Sequence, residues 1–262
     1  MPETKLYKKD DLLADLNAVG NRLPRKMPVY LIGGCAMSLK DMKEFTKDVD
    51  AIFTSIDELR LFEKELLSLG YKKSVSLDVV YEKLGAYSIL RHPKNAGFDL
   101  FHVKVCNMLK LSDGMIKRSS KYGNFGNLKL FLISDEDITL FKGITERPRD
   151  IDDIAAIIQN SVQKGTTFDW DAVRSECEVQ TEHLKIEGHL YERFHELLTK
   201  YQIRSPLMPW LRRRGIKNLL HEAYLTRVEK GLGHDDIIKE FVKEGFGRSD
   251  IRILESFGRK KR

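Results

Sequence analysis

Tyr30-Leu-Ile-Gly-Gly-Cys-Ala-Met-Ser-Leu39, followed by Thr46-Lys-Asp-Val-Asp-Ala-Ile-Phe53, is the stretch whose reading decides the fold. The apolar run Val29 to Ile32 reads as a short buried strand. It ends at Gly33-Gly34, and a helix is expected from Cys35 to about Met42. Glycine has no Cβ, so a ligand can approach the backbone closely at this bend. The unpaired N–H groups at the start of the helix offer a site for phosphate. Thirteen residues separate Gly34 from Asp48, where a second strand begins. Asp48 and Asp50 lie two apart on it and so share one face. Side by side, their charges repel unless a cation sits between them, and a hard divalent ion such as Mg²⁺ suits carboxylate oxygens.

Working outward, Asp10 to Val19 places Leu12, Leu13, Leu16 and Val19 on one helical face. Asp57 to Leu69 repeats that pattern with Leu59, Phe62, Leu66 and Leu69, behind a Thr54 or Ser55 cap and ahead of Gly70. Tyr71–Val75, Ala86–Leu90 and Phe98–Val105 read as strands, with the polar loop 91–97 between the last two. Residues 111–127 look irregular. Their Lys117, Arg118 and Lys121 are equally readable as phosphate contacts or as a mobile surface loop. Leu128 to Ile133 reads as one more strand, and Ser134 caps a helix with early acids. The order of elements predicts an α/β (α+β) chain with a mixed β-sheet core flanked by helices.

A glycine bend facing a carboxylate pair resembles the active site of the nucleotidyltransferases related to DNA polymerase beta. Their signature is an apolar residue with Gly-Gly or Gly-Ser, a gap of about a helix, and Asp-x-Asp on the next strand. Here that is Ile32-Gly33-Gly34 and Asp48-Val49-Asp50, and the family's third carboxylate matches Asp99 in Phe98-Asp-Leu-Phe101. The stretch from Ile138 to Ala155 also resembles minimal and abortive-infection type nucleotidyltransferases. It carries a helical lysine, Lys142, a turn, and then Arg149, Asp150 and Asp153.

The resemblance implies that Asp48, Asp50 and Asp99 are catalytic and hold two Mg²⁺ ions, with Mn²⁺ as the alternative. It implies that Gly33, Gly34, Ser38, Lys142 and Arg149 bind the nucleotide, with Asp150 and Asp153 bracing the site. The activity implied is transfer of a nucleoside monophosphate from a nucleoside triphosphate to an acceptor hydroxyl, releasing pyrophosphate. The alternative is an inactive nucleotidyltransferase-like protein, a nucleic-acid binder or toxin–antitoxin component. The resemblance spans about residues 28–158.

Charge bears on the acceptor. Lys+Arg number 45 against 39 Asp+Glu, and fifteen of the former but only eight of the latter fall after Lys200. The whole basic excess therefore belongs to the C-terminal part, where an acidic partner is to be sought. RNA, tRNA or DNA is the favoured acceptor, with a protein side chain or an antibiotic as other choices.

Residues 1–160 are expected to form the nucleotidyltransferase-like domain and 161–262 an all-α, basic C-terminal domain. Helices are expected over 169–184, 189–201, 215–230 and 235–244, with Pro206 and Pro209 as breaks. Helix, glycine turn and helix from Gly233 to Glu255, cored by Ile237, Phe241, Ile251 and Leu254, suggest a helix-turn-helix. Arg248, Arg252, the 259–262 tail and Arg212-Arg213-Arg214 would supply its charge.

Three widely spaced cysteines argue against disulfides and structural zinc. Cys35 reads best as a small buried side chain beneath the bend. No run of eighteen apolar residues exists, so no membrane partner is expected. The N-terminus has no apolar signal core, and a cytoplasmic location is the expectation.

Overall fold

A computed structural model describes residues 5–74, 85–145, 147–180 and 186–258 of the chain. Val75, the end of the helix expected at 169–184, and the basic tail from Arg259 lie outside the described residues. Two units result, Met1–Leu184 and Lys185–Arg262.

The first unit is built on a seven-stranded mixed sheet. Its strands are β1 (Met27–Ile32), β2 (Asp48–Phe53), β3 (Lys72–Lys73), β4 (Ser88–Arg91), β5 (Gly97–His102), β8 (Ser120–Phe125) and β9 (Leu128–Leu132), in the order β3-β4-β5-β2-β1-β9-β8. Two further short strands, β6 (Lys104–Val105) and β7 (Leu109–Lys110), pair only with each other. Central β1 runs parallel to β9 and antiparallel to β2, while β2 runs parallel to β5. A strand covered on both faces should be apolar almost throughout. Met-Pro-Val-Tyr-Leu-Ile meets that demand, with five of its six residues buried.

Helices α1 (Lys9–Gly20), α2 (Gly33–Leu39) and α3 (Ile56–Ser68) follow the same logic. In α1 the buried face is Leu12, Leu16 and Val19. In α3, Ser55 accepts a hydrogen bond from the Glu58 N–H. Its Phe62 ring meets Phe53 of β2 at 5.1 Å and Phe98 of β5 at 5.8 Å. Burial of a phenylalanine on this scale contributes about 1.5–3 kcal/mol. The Phe53–Phe62–Phe98 cluster thus clamps the back of the two strands that carry the aspartates.

Several elements depart from expectation for identifiable reasons. The irregular segment 111–127 contains α4 (Asp113–Arg118) and the edge strand β8. An edge strand with one open face carries polar residues and tolerates the shift between Lys121 and Gly123, so its sequence lacks apolar alternation. The strand expected to Val105 is interrupted where Val103 adopts a left-handed φ of 63°. Arg118 closes a helix, and its charge is engaged within the fold. Its guanidinium bridges Asp137 at 2.7 Å and Glu176 at 2.6 Å, both carboxylates being buried.

After β9 come α5 (Asp135–Gly143), α6 (Asp150–Gln163) and α7 (Trp170–Gln180). Ser134 caps α5 by accepting from the Asp137 N–H. Glu176 of α7 holds Arg118, and the Gln180 side chain bonds both backbone groups of Lys110. These ties attach α7 to the first unit, which runs to Leu184.

The second unit consists of α8 (Ile186–Tyr201), α9 (Met208–Glu229), α10 (His234–Lys243) and α11 (Arg248–Phe257). Pro209 does not break α9. It occupies the first turn, where its missing N–H has no partner to lose. Leu220, Tyr224, Ile237, Phe241 and Leu254 form the core of α9, α10 and α11, with Ile251 packed against it. Among the described residues no helix is long and apolar enough to cross a membrane.

Candidate active site

Strand register sets the site. Asp50 on β2 lies directly across from Asp99 on parallel β5, and Asp48 from Gly97. Paired residues on neighbouring strands point to the same face, so Asp48, Asp50 and Asp99 are drawn together although 49 positions of sequence separate the second from the third. The glycine bend closes the arrangement from β1, whose Ile32 pairs with Asp50.

Both glycines belong to the first turn of α2, with Ile32 as its N-cap, so the helix starts two residues earlier than expected. Gly33 has φ +62°, and a Cβ there would fall 2.4 Å from Asp50 Oδ2. A Cβ on Gly34 would fall 2.8 Å from Thr46 Oγ1. The absent side chains therefore admit the Asp50 carboxylate and the Thr46 hydroxyl to the backbone. Beneath them Cys35 is fully buried, and its thiol donates to the Ile32 carbonyl at 3.0 Å. Burial pushes that thiol well above its ordinary pKa, so it is a packing group. Ser38 is also buried, and its hydroxyl has no hydrogen-bond partner among the described residues.

Electrostatics show how crowded the acids are. Asp50 is pushed up to about 8, first by desolvation and then by the charges of Asp99 and Asp48. Asp99 is also raised, chiefly by burial, and Arg91 partly offsets this. The Arg91 guanidinium lies 2.7 Å from Asp99 Oδ1 and 3.7 Å from Asp48 Oδ1. A side-chain cation therefore stands among these carboxylates. Such an environment fits a positive charge, and carboxylate oxygens are the donors a hard divalent ion takes. As the side chains stand, however, no three His, Cys, Asp or Glu among the described residues form a ready ligand group. Arg91 occupies one of the Asp99 oxygens that such a group needs.

A cleft of ≈ 720 Å³ opens over Asp48 and Asp50 and is walled by Gly34, Lys142, Arg147 and Arg149. That is room for a nucleotide-sized ligand. Lys142 is buried and held by Asp150 at 2.8 Å and Asp153 at 2.6 Å. Burial opposes its charge, but the two aspartates outweigh burial and raise its pKa. Lys43 adds a second hold on Asp153 at 3.0 Å. Arg149, just before α6, is exposed at the rim.

Of the residues expected in the site, then, Asp48, Asp50, Asp99, Gly33 and Gly34 come together, with Lys142 and Arg149 along the cleft. Asp99, Gly33 and Ser38 do not line the cleft itself. Arg91, Arg147, Lys43 and Lys47 were not anticipated. Arg147 acts on both Asp50 and Asp99, opposing part of the rise in their pKa values, and is nearer in effect to the acids than the expected Arg149. Its position in Arg147-Pro-Arg149 offered a signal, because the proline makes the two arginines inequivalent.

A mixed sheet that seats an Asp-x-Asp strand beside a third aspartate, next to a double-glycine bend, is the layout of the nucleotidyltransferase fold. Residues 8–203 match the family described as nucleotidyltransferases of unknown function (DUF6036), and the chain belongs to that family. A search of curated proteins gives no match.

Proposed function

We propose that the protein moves a nucleoside monophosphate from a nucleoside triphosphate to an acceptor hydroxyl, with RNA or tRNA as the favoured acceptor and the cytoplasm as its place of action. The observation that carries this reading is the register of Asp50 against Asp99 beside Gly33, over a nucleotide-sized cleft lined with cations. Asp48, Asp50 and Asp99 would hold Mg²⁺, two ions by family resemblance or Mn²⁺ in their place, once Arg91 yields its bond to Asp99. When bound, the metal lowers the pKa of the acceptor hydroxyl and neutralises departing pyrophosphate.

The chain's own groups place the reactants. Lys142, Arg147 and Arg149 attract the triphosphate into the cleft that Gly34 lines. The acceptor oxygen forms a bond to the α-phosphorus as the bond to the bridging oxygen breaks, and that electron pair leaves with pyrophosphate. Asp99 receives the hydroxyl proton. Placement and charge supply most of the acceleration.

One observation favours a second reading, that of a nucleic-acid-binding protein without turnover. Arg91 clamped on Asp99 is the arrangement such a protein would keep. Incubation with each of the four α-labelled nucleoside triphosphates, total RNA and Mg²⁺ separates the two. The enzyme reading expects label on the acceptor from at least one triphosphate, lost in Asp48→Ala and in chelator. Absence of transfer by folded protein under all four conditions favours the binder.

A further inference from the structure

A second, smaller pocket also reaches Asp48. It measures ≈ 280 Å³ and is lined by Lys5, Lys47, Arg91, His92, Asn95 and Tyr7, together with Asp48 and Gly97. Lys47 and Asp48 are the residues it shares with the larger cleft. Lys5, Lys47 and Arg91 face Asp48 here, and with Arg91 also paired to Asp99 at 2.7 Å one positive charge remains in excess, which favours an anion. Lys5 is tethered at its mouth by a 2.6 Å bond to the Lys94 carbonyl. The Lys94 and Asn95 N–H groups donate to His92 Nδ1 at 3.3 and 3.1 Å. Neutral His92 therefore carries its proton on Nε2 and is a donor, not an acceptor, to anything else.

We infer that this pocket is the acceptor site, and that it takes a ribose bearing a phosphate whose hydroxyl is presented at Asp48. The inference deepens the reading above and rests on it. Nucleotidyl transfer needs the attacking and leaving oxygens in line on opposite sides of the α-phosphorus. Two cavities that meet at Asp48 supply two approaches to one carboxylate. Size narrows the occupant further. The volume falls just below the ~300–1,000 Å³ of sites for drug-sized ligands, which suits one sugar-phosphate unit and excludes a stacked duplex end. Lys5, Lys47 and Arg91 answer the phosphate, while Asn95 and the Tyr7 hydroxyl offer partners to sugar hydroxyls. The unit can come from a free sugar phosphate or from the terminal nucleotide of an RNA chain.

The test is calorimetric titration of the full chain, first saturated with a non-hydrolysable α,β-methylene triphosphate and Mg²⁺ to fill the larger cleft. Ribose 5-phosphate and a short oligoribonucleotide with a free 3′ end are then added separately. Wild-type protein is expected to bind at least one of them while the triphosphate analogue stays bound. The tighter of the two names the source. Lys5→Glu and His92→Gln, which touch only the smaller pocket, are expected to weaken that binding at least tenfold and leave triphosphate affinity unchanged. Displacement of the analogue by either probe, equal binding in wild type and both variants, or no binding of either probe to analogue-saturated protein overturns the proposal. Failure of the triphosphate analogue itself to bind overturns instead the reading on which it rests.

Discussion

Asp50 sits between two other carboxylates with its Oδ2 against the backbone of Gly33, a position that costs the metal-free fold stability. Its folded pKa of about 8 lies above the ordinary value of ~3.9 for the unfolded chain. The native state therefore holds the proton more tightly. The stabilisation this gives is complete below about pH 4 and is lost as pH rises through about 8. Without divalent cations, thermal stability should fall across that window. Asp50→Asn should flatten the slope and melt higher than wild type at pH 8 while abolishing transfer, the usual conflict between a charged site and stability. A melting series from pH 5 to 9 checks this, and a slope unchanged in the variant would contradict it. Gly33→Ala should act in the opposite sense. Its left-handed backbone alone costs an alanine about 1–3 kcal/mol, and the new methyl meets the Asp50 carboxylate. Chemical denaturation should register that loss, together with reduced metal affinity.

At the scale of elements, β2, β5 and the bend after β1 were legible because their chemistry interrupts their periodicity. Asp-Val-Asp and Phe-Asp-Leu put acids into otherwise apolar strands, a pattern that packing does not ask for. Helices α1 and α3 were legible from their apolar stripes. Less could be read where polar side chains serve structure. Arg118 on α4 looked like a surface cation, yet it neutralises the buried Asp137 of α5 and Glu176 of α7, contacts 19 and 58 positions away in sequence. No local pattern announces such a pairing. Arg91 was hidden for the same reason, since a strand-end arginine declares nothing about the carboxylate it will face on β5. Removing Arg118 strands two buried acids, and breaking a buried pair in this way costs about 3–5 kcal/mol. Arg118→Ala should therefore unfold at markedly lower denaturant. An equally stable variant would show that Asp137 and Glu176 find other partners.

For the whole molecule, charge and core divide the work between units. The first unit gathers buried acids and their cations around one cleft, and the second packs three helices over an apolar centre. Its Arg212, Arg213, Arg248 and Arg252 stay exposed, a distribution that suits contact with a nucleic-acid backbone. What unites the account is the claim that Asp48, Asp50 and Asp99 are held together, at the cost of mutual repulsion, to receive a divalent cation that Arg91 replaces in its absence. Titration of the 262-residue chain with Mn²⁺, followed by the loss of the free-ion paramagnetic signal, tests this most directly. The account predicts saturable binding that is lost in Asp48→Asn/Asp50→Asn and strengthened in Arg91→Gln. Binding that is absent from the folded wild type, or indifferent to the paired aspartate substitutions, would contradict it.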